Sequence, residues 1–138
     1  MKLSGKRVVV TGAASGIGLA LARRFAQEKA GGILVSDLPA NQAALDDLAK
    51  ELSNGDTKAI ALAGDVGVEA DVQALVDTAN TTFGGIDLFA SNAGLIRDGD
   101  ENAPDTEWTL NWQVHVMAHV YAARAVVPSM IQQGGGYL

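Results

Sequence analysis

Apolar residues fall into two alternating rhythms along this chain. Short unbroken runs such as Val8-Val9-Val10 and Ile33-Leu34-Val35 give way to segments in which apolar residues recur every third or fourth position. The first rhythm reads as buried strand and the second as one-sided helix. Strands are predicted over residues 7–11, 33–36, 57–63 and 86–91. Helices are predicted between them. The first carries Ile17, Leu21 and Phe25 and ends near Lys29, the second starts at Pro39 and carries Leu45, Leu48 and Leu52, and the third carries Val72, Leu75, Val76, Ala79 and Phe83. A long helix is then expected from Thr106 to Gln133, about 40 Å at 1.5 Å per residue. Gly31-Gly32, Asn54-Gly55, Gly84-Gly85 and Gly134-Gly135-Gly136 supply the stops, and Tyr137-Leu138 begin a fifth strand. Arg97 to Asp105 is polar and reads as a loop at the ligand edge.

Four alternations of strand and helix, with strands apolar throughout, predict an α/β fold whose parallel sheet is covered on both faces. Such sheets bind ligands beyond the carboxyl ends of their strands, where strand order reverses. The chemically suggestive residues all fall at those ends. Thr11-Gly12-Ala13-Ala14-Ser15-Gly16-Ile17-Gly18 joins the first strand to the first helix, Asp37 ends the second strand, Asp65-Val66 follow the third, and Asn92-Ala93-Gly94 follow the fourth.

Composition narrows the partners. The 138 residues suffice for one domain with a real core, and 48% hydrophobic with 19% charged residues is ordinary globular content. A net charge of −6, with no basic run longer than Arg23-Arg24, argues against nucleic acid and acidic membranes. Three apolar residues between Arg7 and Thr11 are too few for a signal peptide or a span, and cysteine is absent. A soluble cytoplasmic protein is the expectation.

The glycine turn suits a phosphate, because glycine lets the backbone approach closely and the first N–H groups of a helix carry partial positive charge. Asp37, 19 positions beyond Gly18, is placed to accept hydrogen bonds from adenosine ribose hydroxyls and to repel a 2′-phosphate. With Ser15 rather than a basic residue in the turn, NAD is favoured over NADP. Asp37 also reads as an acid capping the helix that starts near Pro39, and Asp65 either as a partner for an adenine amino group or as a loop acid. Asn92 is placed to tie strand ends together, with a plain turn as its other reading.

These motifs resemble the N-terminal half of the short-chain dehydrogenase/reductase family. Thr11 to Gly18 fits its T-G-x-x-x-G-I-G, Asp65-Val66 its adenine-side acid and following residue, and Ser91-Asn92-Ala93-Gly94 its N-N-A-G with Ser first. Trp108 with Val127-Pro128-Ser129-Met130 fits the helix of its main dimer contact. The resemblance implies a Rossmann-type doubly wound sheet and hydride transfer between NAD and an alcohol or ketone. It implies cofactor contacts from Gly12, Ser15, Gly16, Ile17, Gly18, Asp37, Leu38, Asp65, Val66, Asn92, Ala93 and Gly94. It also implies a homodimer or homotetramer through the 106–133 helix, whose stretch from Val114 to Val127 is apolar on nearly every side and is expected to be buried all round.

The family's catalytic Ser and Tyr-x-x-x-Lys find no counterpart here. The only tyrosines are Tyr121 and Tyr137, and the last lysine is Lys58. The expectation is a single cofactor-binding domain over 1–138 that ends before the proton-transfer residues and is inactive alone. His115 takes the place of a family Asn in a mid-helix bend, where the backbone carbonyl supports a water of the proton relay, and is the one catalytic candidate. His115 and His119 share a helix face, but Val116 stands where a zincin requires Glu, so no metal is expected. The contrasting reading is a non-catalytic NAD-binding or interaction module, or an inactive truncation product.

Overall fold

A computed structural model describes residues 2–97 and 99–138; Asp98, inside the expected polar loop, lies outside them. The order is β1 (Arg7–Thr11), α1 (Gly16–Gln27), β2 (Gly32–Ser36), a 3-10 turn (Pro39–Asn41), α2 (Gln42–Leu52), β3 (Lys58–Ala61), α3 (Glu69–Phe83), β4 (Leu88–Ala90), α4 (Asp105–Trp112), a π-helical turn (Gln113–Met117) and α5 (Ala118–Gln132). The four strands form one parallel sheet in the order β3-β2-β1-β4. Tyr137 makes a single parallel bridge to Leu88, which is the beginning of a fifth strand beside β4.

The middles of β1, β2 and β4 are apolar because both of their faces are covered, while β3 at the sheet edge begins with exposed Lys58. Val8, Val10, Ile33 and Val35 pack against Leu45, Leu48 and Ala22 on one side, while Val9, Leu34 and Phe89 pack against Leu75, Val76, Ala122 and Val126 on the other. The chain returns from β3 at one edge to β4 beside β1, so strand order reverses between β1 and β4. The cleft described below opens at their carboxyl ends.

Two local expectations change. Gly31-Gly32 does not stop α1. Lys29 does, at φ +62, with Lys29 N–H on the Ala26 carbonyl and Ala30 N–H on the Phe25 carbonyl; this pair of bonds closes a helix end through a left-handed residue. Ile17 is not part of the stripe on the sheet. Gly18 and Ala22 are the buried residues of α1, and Ile17 is 74% exposed at the cleft mouth. The long helix runs unbroken over Asp105–Gln132 and carries, where the resemblance implied a mid-helix bend, a π turn in which Ala118 N–H reaches back five residues to the Gln113 carbonyl. The helix then continues through Pro128 to Gln132.

Nor is that helix buried all round within the chain. Val114, Ala118, Ala122, Val126 and Met130 form its buried stripe, while Trp112 is 58% and Ile131 72% exposed. Asp105–Gln132 is long and apolar enough to cross a membrane by length and composition alone; Ala122, Val126 and Met130 of its stripe pack into the core on one face of the sheet.

At the opposite end of the strands from the cleft, Asp87 closes the β1–β4 seam. It accepts from Arg7 Nε at 2.7 Å, Arg7 Nη2 at 3.0 Å and Arg7 backbone N–H at 2.9 Å. These hydrogen bonds outweigh partial burial and hold the Asp87 carboxyl at about 2.

Candidate functional site

The cleft lies over the carboxyl ends of β1, β2 and β4 and encloses about 490 Å³, a small-molecule volume. Every residue predicted to contact a cofactor lines it: Gly12, Ser15, Gly16, Ile17, Gly18, Asp37, Leu38, Asp65, Val66, Asn92, Ala93 and Gly94. Leu95 and Ile96, from the segment expected to give one wall, also line it, and Gly64 and Val114, which were not legible as site residues, complete the lining. His115 stands outside it, one residue beyond Val114 on the π turn.

The glycine turn is shaped by two close approaches. At Gly12, φ is +67 and an added Cβ would sit 2.8 Å from Ala93 Cα. At Gly18 it would sit 2.1 Å from the Gly12 carbonyl oxygen. Both positions therefore admit no side chain. Gly16 differs: φ is +54, and nothing lies within 4 Å of the place a Cβ would take. The first three N–H groups of α1, on Gly16, Ile17 and Gly18, precede any carbonyl the helix could offer them. Ser15 stands at the N-cap without a side-chain bond to them. Free donors, a helix dipole and open space at Gly16 together form a cradle for an anion.

Asp37 joins that cradle to the tip of β2. Its Oδ2 accepts from Ala14 N–H at 3.0 Å, and its Oδ1 accepts from Leu38 N–H at 2.8 Å and Asn41 Nδ2 at 2.9 Å. The capping reading does not hold, since the helical turn at Pro39 has Leu38 as its N-cap and no side-chain cap bond; the carboxylate instead steadies the turn before α2 through Leu38 N–H and the Asn41 side chain, fixes the glycine turn and lines the cleft. A carboxylate offers about four acceptor sites, so capacity remains for a ligand hydroxyl. Asp65 Oδ1 accepts from Gly67 N–H at 2.8 Å, and Asp65 N–H donates to Asp71 Oδ2 at 2.8 Å. Asp71, an acid in the first turn of α3, was missed; its place near a helix start was the available signal.

Asn92 ties β1 to β4. Its Nδ2 donates to the Thr11 carbonyl at 3.0 Å, while Thr11 Oγ1 accepts from Asn92 N–H and Ala93 N–H, each at 3.1 Å, and donates to the Ala90 carbonyl at 3.3 Å. Among the described residues lining the cleft there are two carboxylates and no Lys, Arg or His.

Comparison with known proteins accords with this geometry. The short chain dehydrogenase family profile matches residues 6–138. The chain is 38% identical to 1-deoxy-11-beta-hydroxypentalenate dehydrogenase of Streptomyces exfoliatus, over 97% of this chain and 49% of that protein. It is 32% identical to L-rhamnose-1-dehydrogenase of Scheffersomyces stipitis, over 97% and 53% respectively. Among solved structures, L-sorbose reductase of Gluconobacter frateurii, complexed with NADPH and L-sorbose, superposes with a TM-score of 0.89 at 36% identity, covering 99% of this chain and 52% of that one. A short chain dehydrogenase/reductase of Burkholderia phymatum in complex with NAD gives 0.88 at 30% identity, covering 96% and 47%. The chain belongs to the short chain dehydrogenase family. It spans about half the length of these relatives.

Proposed function

We propose that these residues form the cofactor half of an NAD-dependent oxidoreductase that moves hydride between NAD(H) and a small alcohol or ketone. The carrying observation is Asp37, a carboxylate fixed by three donors at the tip of β2 and facing a cleft without a lining cation. The residues present fit the group: the cradle at Gly16 takes the pyrophosphate, Asp37 the adenosine ribose, Asp65 and Val66 the adenine side, and Asn92-Ala93-Gly94 the far end. NAD supplies the hydride acceptor. Solved relatives hold NADPH or NAD, so the preference for NAD rests on Asp37 and on the absence of a countercharge for a 2′-phosphate.

Calorimetric titration of NAD and NADP into the wild type and Asp37→Ser tests this reading. The wild type is expected to bind NAD at least about tenfold more tightly, a difference of about 1.4 kcal/mol, and Asp37→Ser to erase the preference. Equal affinities in the wild type would refute it.

The domain reading extends this proposal. Residues 1–138 form one cofactor-binding domain, and proton transfer falls to a Ser and a Tyr-x-x-x-Lys outside it, so these residues alone turn over no substrate. The exposed side of the 106–133 helix, with Trp108, Trp112 and Ile131 open to solvent, serves as a homodimer or homotetramer contact in a cytoplasmic protein. Sedimentation velocity checks that contact. Trp112→Glu is expected to shift the protein to monomer, and a wild type already monomeric would contradict it.

A further inference from the structure

Nearly every polar group of Asp65 is occupied. Its N–H donates to Asp71 Oδ2 at 2.8 Å, its carbonyl accepts from Val68 N–H at 2.9 Å, and its Oδ1 accepts from Gly67 N–H at 2.8 Å. That leaves Oδ2 as its one polar atom without a partner among the described residues. Asp71 is the third residue of α3, where an acid commonly turns back to the N–H of the N-cap residue. Here the N-cap is Val68, whose N–H the Asp65 carbonyl already takes, so Asp71 reaches three residues further back, to Asp65 itself. Its stem packs over the end of β3: a Cβ added at Gly64 would sit 3.3 Å from Asp71 Cβ. Gly64 and Asp65 line the cleft and Asp71 does not.

We propose that Asp71 is a positioning residue, which fastens the Asp65 backbone to the start of α3 and so keeps the one free carboxylate oxygen of Asp65 for the adenine amino group. It touches no cofactor and acts only through Asp65. The inference rests on the cofactor reading above, in which Asp65 takes the adenine side. Loss of Asp71 disturbs that side alone, because no side-chain hydrogen bond of Asp37 or Asn92 involves Asp65 or Asp71.

The test compares NAD with nicotinamide hypoxanthine dinucleotide, which carries a carbonyl oxygen where NAD carries the adenine amino group. Calorimetry follows both in the wild type, Asp65→Ala, Asp71→Ala and Asp71→Asn. The wild type is expected to prefer NAD about fivefold to tenfold, the range for one hydrogen bond. Asp65→Ala and Asp71→Ala bring the two ligands within about twofold of each other. Asp71→Asn, whose amide oxygen can accept the Asp65 N–H, keeps most of the preference. A purely structural loss weakens both ligands alike, so an unchanged ratio in Asp71→Ala overturns the positioning role. A ratio lost as fully in Asp71→Asn overturns it too. A wild type that binds both ligands equally, or a preference that survives Asp65→Ala, overturns the adenine reading of Asp65 and the role of Asp71 with it. A wild type that binds neither overturns the cofactor reading itself. On the unmutated protein, a scalar coupling across the hydrogen bond, from the Asp65 amide nitrogen to the Asp71 side-chain carboxyl carbon, is expected beside those of the strand pairs; its absence where the strand couplings appear contradicts the assignment.

Discussion

Asn92 and Thr11 hold each other from both sides. The amide of Asn92 donates to the Thr11 carbonyl at 3.0 Å, and the Thr11 hydroxyl accepts the Asn92 backbone N–H at 3.1 Å. The two residues are 81 positions apart, and their reciprocal bonds join the ends of the two strands between which the sheet's order reverses. The Ala90 carbonyl completes the set, accepting from Asn92 N–H at 2.9 Å and from the Thr11 hydroxyl at 3.3 Å.

Thr11→Val keeps the shape of the side chain and removes the acceptor of Ala93 N–H, while Asn92 N–H keeps the Ala90 carbonyl at 2.9 Å. The expected cost is about 1–3 kcal/mol, the desolvation penalty of one donor left without a partner. Thr11→Ser retains the hydroxyl and is expected to cost under about 1 kcal/mol. Urea unfolding followed by circular dichroism measures both.

Gly16 and Gly18 separate binding from folding. Gly18→Ala drives a methyl group into the Gly12 carbonyl and is expected to destabilise by about 3 kcal/mol or more. Gly16→Ala meets no atom and loses only the left-handed preference of glycine, about 1 kcal/mol, yet its methyl occupies the anion cradle. NAD affinity should therefore fall in Gly16→Ala while the unfolding midpoint moves little. The reverse order of effects in the two variants would contradict the cradle.

Asp87 makes stability depend on acid. Its folded carboxyl sits at about 2, below the ordinary 3.8, mainly through the Arg7 side-chain hydrogen bonds. A depressed carboxylate stabilises the fold above pH 3.8, and that contribution disappears as pH falls from about 4 to about 2. After allowance for solvent screening it amounts to about 1–2 kcal/mol. The gap between the wild type and Asp87→Asn in urea unfolding is expected to be full at pH 7 and to close near pH 2.

Much of this was legible in the sequence because strand and helix rhythms in a two-faced parallel sheet differ plainly. Val9 and Leu34 reach one face and Val8 and Ile33 the other, so unbroken apolar runs carry the signal. The residues lining the cleft were legible for the same reason, since the fold sends the ends of all its strands to one edge. Other features depend on through-space geometry. Ile17 keeps the helical spacing of Leu21 and Phe25, but the tight approach of Gly18 to Gly12 turns the first residues of α1 toward the cleft. Lys29 stops α1 ahead of two glycines that look the stronger signal, because the bonds to Phe25 and Ala26 already close the helix. The π turn leaves no trace in the spacing of Val114, Ala118 and Ala122; the bend at His115 was legible only through the family resemblance, and the bond of its ring to the Leu95 carbonyl only from the coordinates.

The central claim is that the cleft over β1, β2 and β4 holds a nicotinamide dinucleotide. Titration of nitrogen-15-labelled protein with NAD, followed residue by residue, tests it most directly. The account predicts that amide signals of Gly12, Ser15 to Gly18, Leu38, Asp65 and Ala93-Gly94 move together and saturate, while Arg7, Asp87 and Asn54 stay in place. Unmoved signals in the glycine turn at saturating NAD, or movements confined to another surface, would contradict it.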